Sequence, residues 1–183
     1  MLRLLFLMAC VGPVSATDRT PLLPLEAFFG NPKRPNPRLE GFTLAPAKQV
    51  RLKAGKRATL TLPLNAKPKS LPAVIDLQGE PRIAQWLANR GYAVLRVESQ
   101  DLSDGVRWLA KKGIADPKRI AVFGVRKGES LRTAQALKSA GKIVDYIELP
   151  DEEPGNWLEF YVLADRFLAE HLGGRAGPEV WEK

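Results

Sequence analysis

The sequence predicts an α/β fold: a three-layer sandwich on a mostly parallel sheet, with an N-terminal β-hairpin. After Pro68, short runs that are apolar on both faces alternate with segments of helical period, as in a parallel sheet covered on both sides. Before Pro68, Gln49 to Lys53 and Ala58 to Leu64 alternate apolar with polar residues around the turn Lys53-Ala54-Gly55-Lys56, which reads as a hairpin with one solvated face. Size agrees, because 183 residues with 45% hydrophobic content suffice for one domain with a core and not for two large ones.

Taken in order, the chain opens on a segment that reads as a signal peptide over residues 1–16. Arg3 supplies a positive start, Leu4 to Val11 an apolar run, and Val14-Ser15-Ala16 a small-residue cleavage site. The run is too short to span a bilayer, and nothing later is long and apolar enough, so the expectation is an exported protein, periplasmic or secreted. Cys10 is the only cysteine and lies in this leader, so a processed chain would hold no thiol. A competing reading takes Leu7-Met8-Ala9-Cys10 as a lipoprotein signal with Cys10 acylated.

Residues 17–47 form a proline-rich arm, expected to be extended, because Pro21, Pro24, Pro32, Pro35, Pro37 and Pro46 each remove a donor and restrict a neighbour. The domain proper is expected over 48–174, with a tail at 175–183. Its first unit is the strand Ala73 to Leu77 and the helix Pro81 to Asn89, which places Ile83, Ala84 and Leu87 on one face before Gly91. The strand Tyr92 to Val97 and the helix Leu102 to Lys111 follow, with Asp101 as the expected cap. Next come the strand Arg119 to Phe123 and the helix Glu129 to Ala140, closed by Gly141. The last unit is the strand Ile143 to Leu149 and the helix Trp157 to Leu172, with Leu158, Tyr161, Val162, Asp165 and Leu168 at near-helical spacing before Gly173-Gly174.

The net charge of +8 is unevenly placed. Thr17 to Ser70 holds 11 Lys and Arg against 3 Asp and Glu, whereas Leu71 to Lys183 holds 16 against 17. A basic N-terminal region on a near-neutral domain could meet an anionic surface, although solvation alone accounts for such charges. Aromatic residues do not interleave the basic ones, which argues against nucleic acid.

Several stretches carry a family resemblance: Leu60-Thr61-Leu62-Pro63, Gln85 to Val94, Asp104 to Leu109, Gly113 to Ile120, and the tail Tyr146 to Glu152 followed by Phe160-Tyr161 and Arg166-Phe167-Leu168. In these the chain resembles the α/β-hydrolase domain of the prolyl oligopeptidase family of serine peptidases. The arm, with Phe28-Phe29-Gly30-Asn31-Pro32, is similar to the segment before that family's β-propeller, and no propeller sequence follows it. The resemblance implies a reduced α/β-hydrolase fold.

The chemistry it implies does not carry over. Where the family places its nucleophilic serine in a G-x-S-x-G turn, this chain reads Gly124-Val125-Arg126-Lys127-Gly128, and a guanidinium is no nucleophile. The family's His-Gly-Gly-Pro turn corresponds to Gln78-Gly79-Glu80-Pro81, and its Pro-Asp-Glu-Gly-His-Gly to Pro150-Asp151-Glu152-Glu153-Pro154-Gly155, with Pro154 at the position of the base. Gly128 to Lys138 resembles the helix after the strand of the catalytic aspartate, as though the chain jumps there near Val125. The expectation is an inactive relative with a binding or vestigial role, with no catalytic, metal or cofactor residues; the alternative is a serine hydrolase of peptides or esters with an unrecognised site.

The other polar residues give weaker signals. Strand ends in such a sheet collect ligands, and here they offer Gln78, Glu80, Glu98, Ser99, Arg126, Lys127, Asp151, Glu152 and Glu153. Arg126 and Lys127 beside a helix start suit an anion, but the G-K-[ST] order of a phosphate loop is absent. Three adjacent carboxylates without His or Cys do not make a metal site. Ser99, Ser103 and Ser130 lack a base, and Ser103 and Ser130 read as first-turn helix residues. His171, the single histidine, suits a helix end, and Trp86, Trp108 and Trp157 read as packing residues. A sheet edge left bare by missing strands would be a surface for self-association.

Overall fold

The computed structural model describes residues 20–29, 39, 41–124 and 157–177. The leader, the helix expected at Glu129 to Ala140 and the strand expected at Ile143 to Leu149 lie outside the described residues. Among the described residues five strands, β1 (Ala47–Arg51), β2 (Arg57–Thr61), β3 (Leu71–Asp76), β4 (Ala93–Arg96) and β5 (Ala115–Phe123), form one open sheet in the order β1-β2-β4-β3-β5. The sheet is mixed: β1 with β2 and β2 with β4 are antiparallel, whereas β3 is parallel to both β4 and β5.

The chain runs from β3 through α2 (Pro81–Asn89) to its neighbour β4, then through α3 (Leu102–Lys111) back past β3 to β5. Because parallel crossovers are right-handed, this reversal sends the two helices to opposite faces. One core joins Val74, Val94, Ala121 and Phe123 of the sheet to α2 and to α4 (Trp157–Leu172); the other joins Ala73, Ile75, Leu95 and Val122 to Leu109 of α3 and to Ala58 and Leu60. The predicted three-layer α/β architecture is therefore present. At Gly105 a side chain would meet Leu95 and Val97 at 3.3 Å, so a glycine is what lets α3 lie close on the sheet.

Of the four expected helices, the three that fall among the described residues match in span, since each combines an apolar face with a glycine where it stops; Gly91, Gly113 and Gly173 follow with positive φ. The strands shift by one to four residues. β5 starts at Ala115, four residues before its predicted start, because a register irregularity absorbs the segment around Pro117, which has no amide to give a ladder. Asp116 ties that irregularity together by accepting bonds from the Lys118 amide at 2.9 Å and the Arg119 side chain at 3.0 Å.

Two local expectations are corrected. The arm is not uniformly extended: α1 (Leu25–Phe29) buries Leu25 and Phe28, and the Phe29 ring stacks on Tyr161 at 3.4 Å. Past Pro24 the apolar side chains of this turn find a surface on α2 and α4, and burying them outweighs the intrinsic weakness of so short a helix. Asp101 precedes α3 but does not cap it, because it closes a 3-10 turn over Ser99–Asp101 with φ −101° and ψ 4° rather than extended backbone. Its carboxylate instead pairs with Lys56 of the hairpin turn.

Candidate functional site

β3, β4 and β5 run parallel and end side by side, the place where a sheet of this kind forms its crevice, and the central group there is one that sequence patterning missed. Asp76 ends the apolar run of β3 and is fully buried. One carboxylate oxygen accepts the amides of Gln78 at 2.9 Å and Gly79 at 3.4 Å; the other accepts Nε of Arg96, from the end of β4, at 3.3 Å. Burial pushes the Asp76 carboxyl up, against the opposing pull of the Gln78 amide and the Arg96 charge. Arg96 is 24% exposed and therefore reaches the solvent edge of the crevice. The only sequence signal for this pair was an acid interrupting a strand otherwise apolar on both faces.

Across the crevice, Gly124 follows β5 with φ +90°, a conformation that favours glycine. A side chain there would lie 2.4 Å from Cγ and 2.8 Å from the amide nitrogen of Gln78. Gln78 is thus packed directly on the Gly124 backbone, and the loop after β3 closes on the end of β5.

Of the residues predicted at strand ends, the structure brings Gln78 into this closure. Glu80 turns outward and pairs with Arg82 at 2.6 Å, both about half exposed, while Glu98 and Ser99 stand exposed past β4. Arg126, Lys127, Ser130, Asp151, Glu152, Glu153 and Pro154 lie outside the described residues. Ser103 is exposed in the first turn of α3, and His171 is half-buried in the last turn of α4, its ring 4.4 Å from Phe167. Trp86 is a core residue, edge-on to Phe29, Phe123 and Tyr161; Trp108 is partly buried against the core beneath α3.

Behind the crevice lies a second buried polar cluster. Nε of Arg90 donates to both oxygens of Asp165 at 2.9 Å, with the two side chains 0% and 2% exposed. The same carboxylate accepts Nε1 of Trp86 at 2.9 Å and the amide of Gly177 at 2.7 Å. Arg90 also donates to the Leu23 carbonyl at 2.8 Å, and Arg175 reaches the carbonyls of Thr20 and Asn89 at 2.6 Å. The N-terminal segment, α2, α4 and the chain after it are joined here. The periodicity that placed Asp165 among core positions of its helix was therefore right about the face and silent about the partner.

No three His, Cys, Asp or Glu side chains come close enough to hold a metal ion among the described residues, and no described helix is long and apolar enough to cross a membrane.

Comparison with curated proteins finds a similarity to dipeptidyl aminopeptidase BIII of Pseudoxanthomonas mexicana, 29% identical over 131 residues and taking in 48% of this chain. The match spans 19% of that enzyme's length. No family model matches, and no solved structure matches.

Proposed function

We propose that this chain is an exported, non-catalytic relative of the prolyl oligopeptidase peptidases, a reduced α/β-hydrolase domain whose role is binding rather than turnover. The observation that carries the reading is the state of the crevice. In an α/β-hydrolase the loop after the third strand supplies a backbone N–H to the oxyanion, and the turn after the nucleophile strand supplies the serine. Here the loop amides of Gln78 and Gly79 already point at an internal anion, Asp76, and the Gln78 side chain sits on Gly124 where that turn begins. A donor committed to a carboxylate is not free for a developing alkoxide.

The sequence supports the same conclusion from the other side. Arg126 and Pro154 stand at the positions that the resemblance assigns to nucleophile and base, and the chain's one histidine packs on Phe167 at a helix end. Without a base near neutral pH, a serine hydroxyl remains a weak nucleophile. The extent of the match also favours a shortened domain: 131 aligned positions take in less than half of the 183 residues, so part of the relative's matched stretch has no counterpart here.

The test is turnover. Purified chain should hydrolyse activated esters and proline-containing dipeptidyl substrates no faster than the buffer, across neutral and mildly alkaline pH. Saturable turnover that follows the protein through purification and disappears on changing one serine would establish the hydrolase reading instead.

A further inference from the structure

We propose that the edge strand β1, with its approach from Phe42 and its turn into β2, is a docking surface for an anionic lipid bilayer. Residues 41–75 contain seven Lys and Arg, namely Lys48, Arg51, Lys53, Lys56, Arg57, Lys67 and Lys69, and no Asp or Glu. All seven are exposed. Of these seven, only Lys56 has an acidic partner among the described residues, Asp101 just before α3. Arg51 and Arg57 stand directly opposite each other in the ladder, an arrangement of like charges that opposes pairing unless something negative lies nearby.

Lysines on an edge strand also discourage sheet-to-sheet aggregation, and β1 pairs only with β2 among the described residues. That need is met by one or two charges on the edge itself. It does not explain Arg57 on the inner strand or Lys67 and Lys69 in the loop beyond it.

The second observation is apolar. Phe42 and Leu44, 42% and 43% exposed, lead into the basic strand, and they are two of the three large hydrophobic side chains exposed among the described residues. Leu44 and Leu64 line the same small cleft, which sets the loop carrying Lys67 and Lys69 beside this apolar pair. Exposed cations around an aromatic and a leucine match a bilayer interface, where the cations meet anionic headgroups and the apolar pair enters the acyl boundary. A nucleic acid would call for aromatic rings spaced among the cations, and the ribbon has none.

Sedimentation of the full chain with vesicles tests this, comparing phosphatidylcholine alone with phosphatidylcholine containing about one-third phosphatidylglycerol. The anionic vesicles should bind more tightly by on the order of tenfold or more, with the excess removed by salt. A Lys48→Gln, Arg51→Gln, Lys53→Gln variant should lose that excess; Lys56 is left intact because it pairs with Asp101. A Phe42→Ser, Leu44→Ser variant should bind anionic vesicles about tenfold more weakly while keeping the salt dependence. Unfolding midpoints equal to the parent's establish that both variants are folded. Equal binding to the two vesicle types, or a charge variant that binds like the parent, overturns the proposal. So does an apolar variant that binds unchanged, and so does a chain that takes up heparin or duplex DNA but no vesicles, which identifies a soluble polyanion as the partner.

Discussion

Asp76 and Asp165 are both buried carboxylates paired with arginine, and they do opposite things. Asp165 collects its donors from far along the chain, Arg90 and Trp86 lying 75 and 79 residues away, and both side chains of its ion pair are withdrawn from water. Asp76 collects two of its donors from the next three residues, and its arginine reaches the solvent edge. The first is a tie between segments that meet only in the folded state. The second shapes one loop, and the loop it shapes is the one an α/β-hydrolase would keep open for chemistry. A charged pair buried in the interior therefore marks tertiary structure at one end of this sheet and a closed crevice at the other.

The largest expected effect breaks the interior tie. Asp165→Ala leaves the Arg90 guanidinium buried without its counter-ion and should cost about 3–5 kcal/mol in denaturant unfolding. An Arg90→Met, Asp165→Leu double variant should recover only part of that loss, because neither charge is then stranded but Nε1 of Trp86 and the Gly177 amide still lose their acceptor.

Changes at the crevice should cost less and discriminate between charge and hydrogen bonding. Asp76→Ala deprives the Gln78 and Gly79 amides of their acceptor and should cost about 1–3 kcal/mol, whereas Asp76→Asn keeps an acceptor oxygen and should stay within about 1 kcal/mol of the parent. The pH dependence sharpens this contrast. A carboxyl raised by burial holds its proton in the folded state after the unfolded chain has released its own near the ordinary value of 3.8, so its contribution to stability falls as pH rises from there through the raised value. The parent should show that fall, and Asp76→Asn should lack it. Asp116 acts in the opposite sense, since the Lys118 amide and Arg119 hold its carboxyl low and its contribution is lost as pH drops through that lowered value; as a partly exposed group whose interactions solvent screens it contributes little.

Two glycines separate strain from contact. Gly91 and Gly124 both have positive φ, at +96° and +90°, but a side chain at Gly91 meets nothing within 4 Å while one at Gly124 strikes Gln78. Gly91→Ala should cost about 1–2 kcal/mol from backbone strain alone, and Gly124→Ala should cost more. Gln78→Ala in the Gly124→Ala background should restore only part of the difference, because the Gln78 amide nitrogen stays 2.8 Å from the new methyl. The smallest effect is expected at the exposed Glu80 and Arg82 pair, where Glu80→Gln should change stability by less than about 1 kcal/mol.

The contrast between the two carboxylates also explains what was legible in the sequence. The spans of α2, α3 and α4 followed from local signals, an apolar stripe ending at a glycine, and those signals survive folding because they are made within one turn. The strand limits slipped where partners decide them, most clearly at β5, whose first residues pair with β3 across an irregularity that no local pattern announces. The docking of Leu25 and Phe28 depended on surfaces of α2 and α4 that the arm itself does not encode. Asp76 looked like a break in a strand and Asp165 like one more core-facing position. Their roles depended on Arg96 and Arg90, and spacing along the chain does not pair an acid with an arginine 20 or 75 residues away.

The central claim is that the crevice holds no activated serine. The most direct measurement is the intact mass of the folded chain after exposure to a serine-directed fluorophosphonate. The account predicts an unchanged mass at every time point, in the folded protein and in Asp76→Asn alike. Stoichiometric addition of one phosphonyl group to a single serine, prevented by prior unfolding, would contradict it.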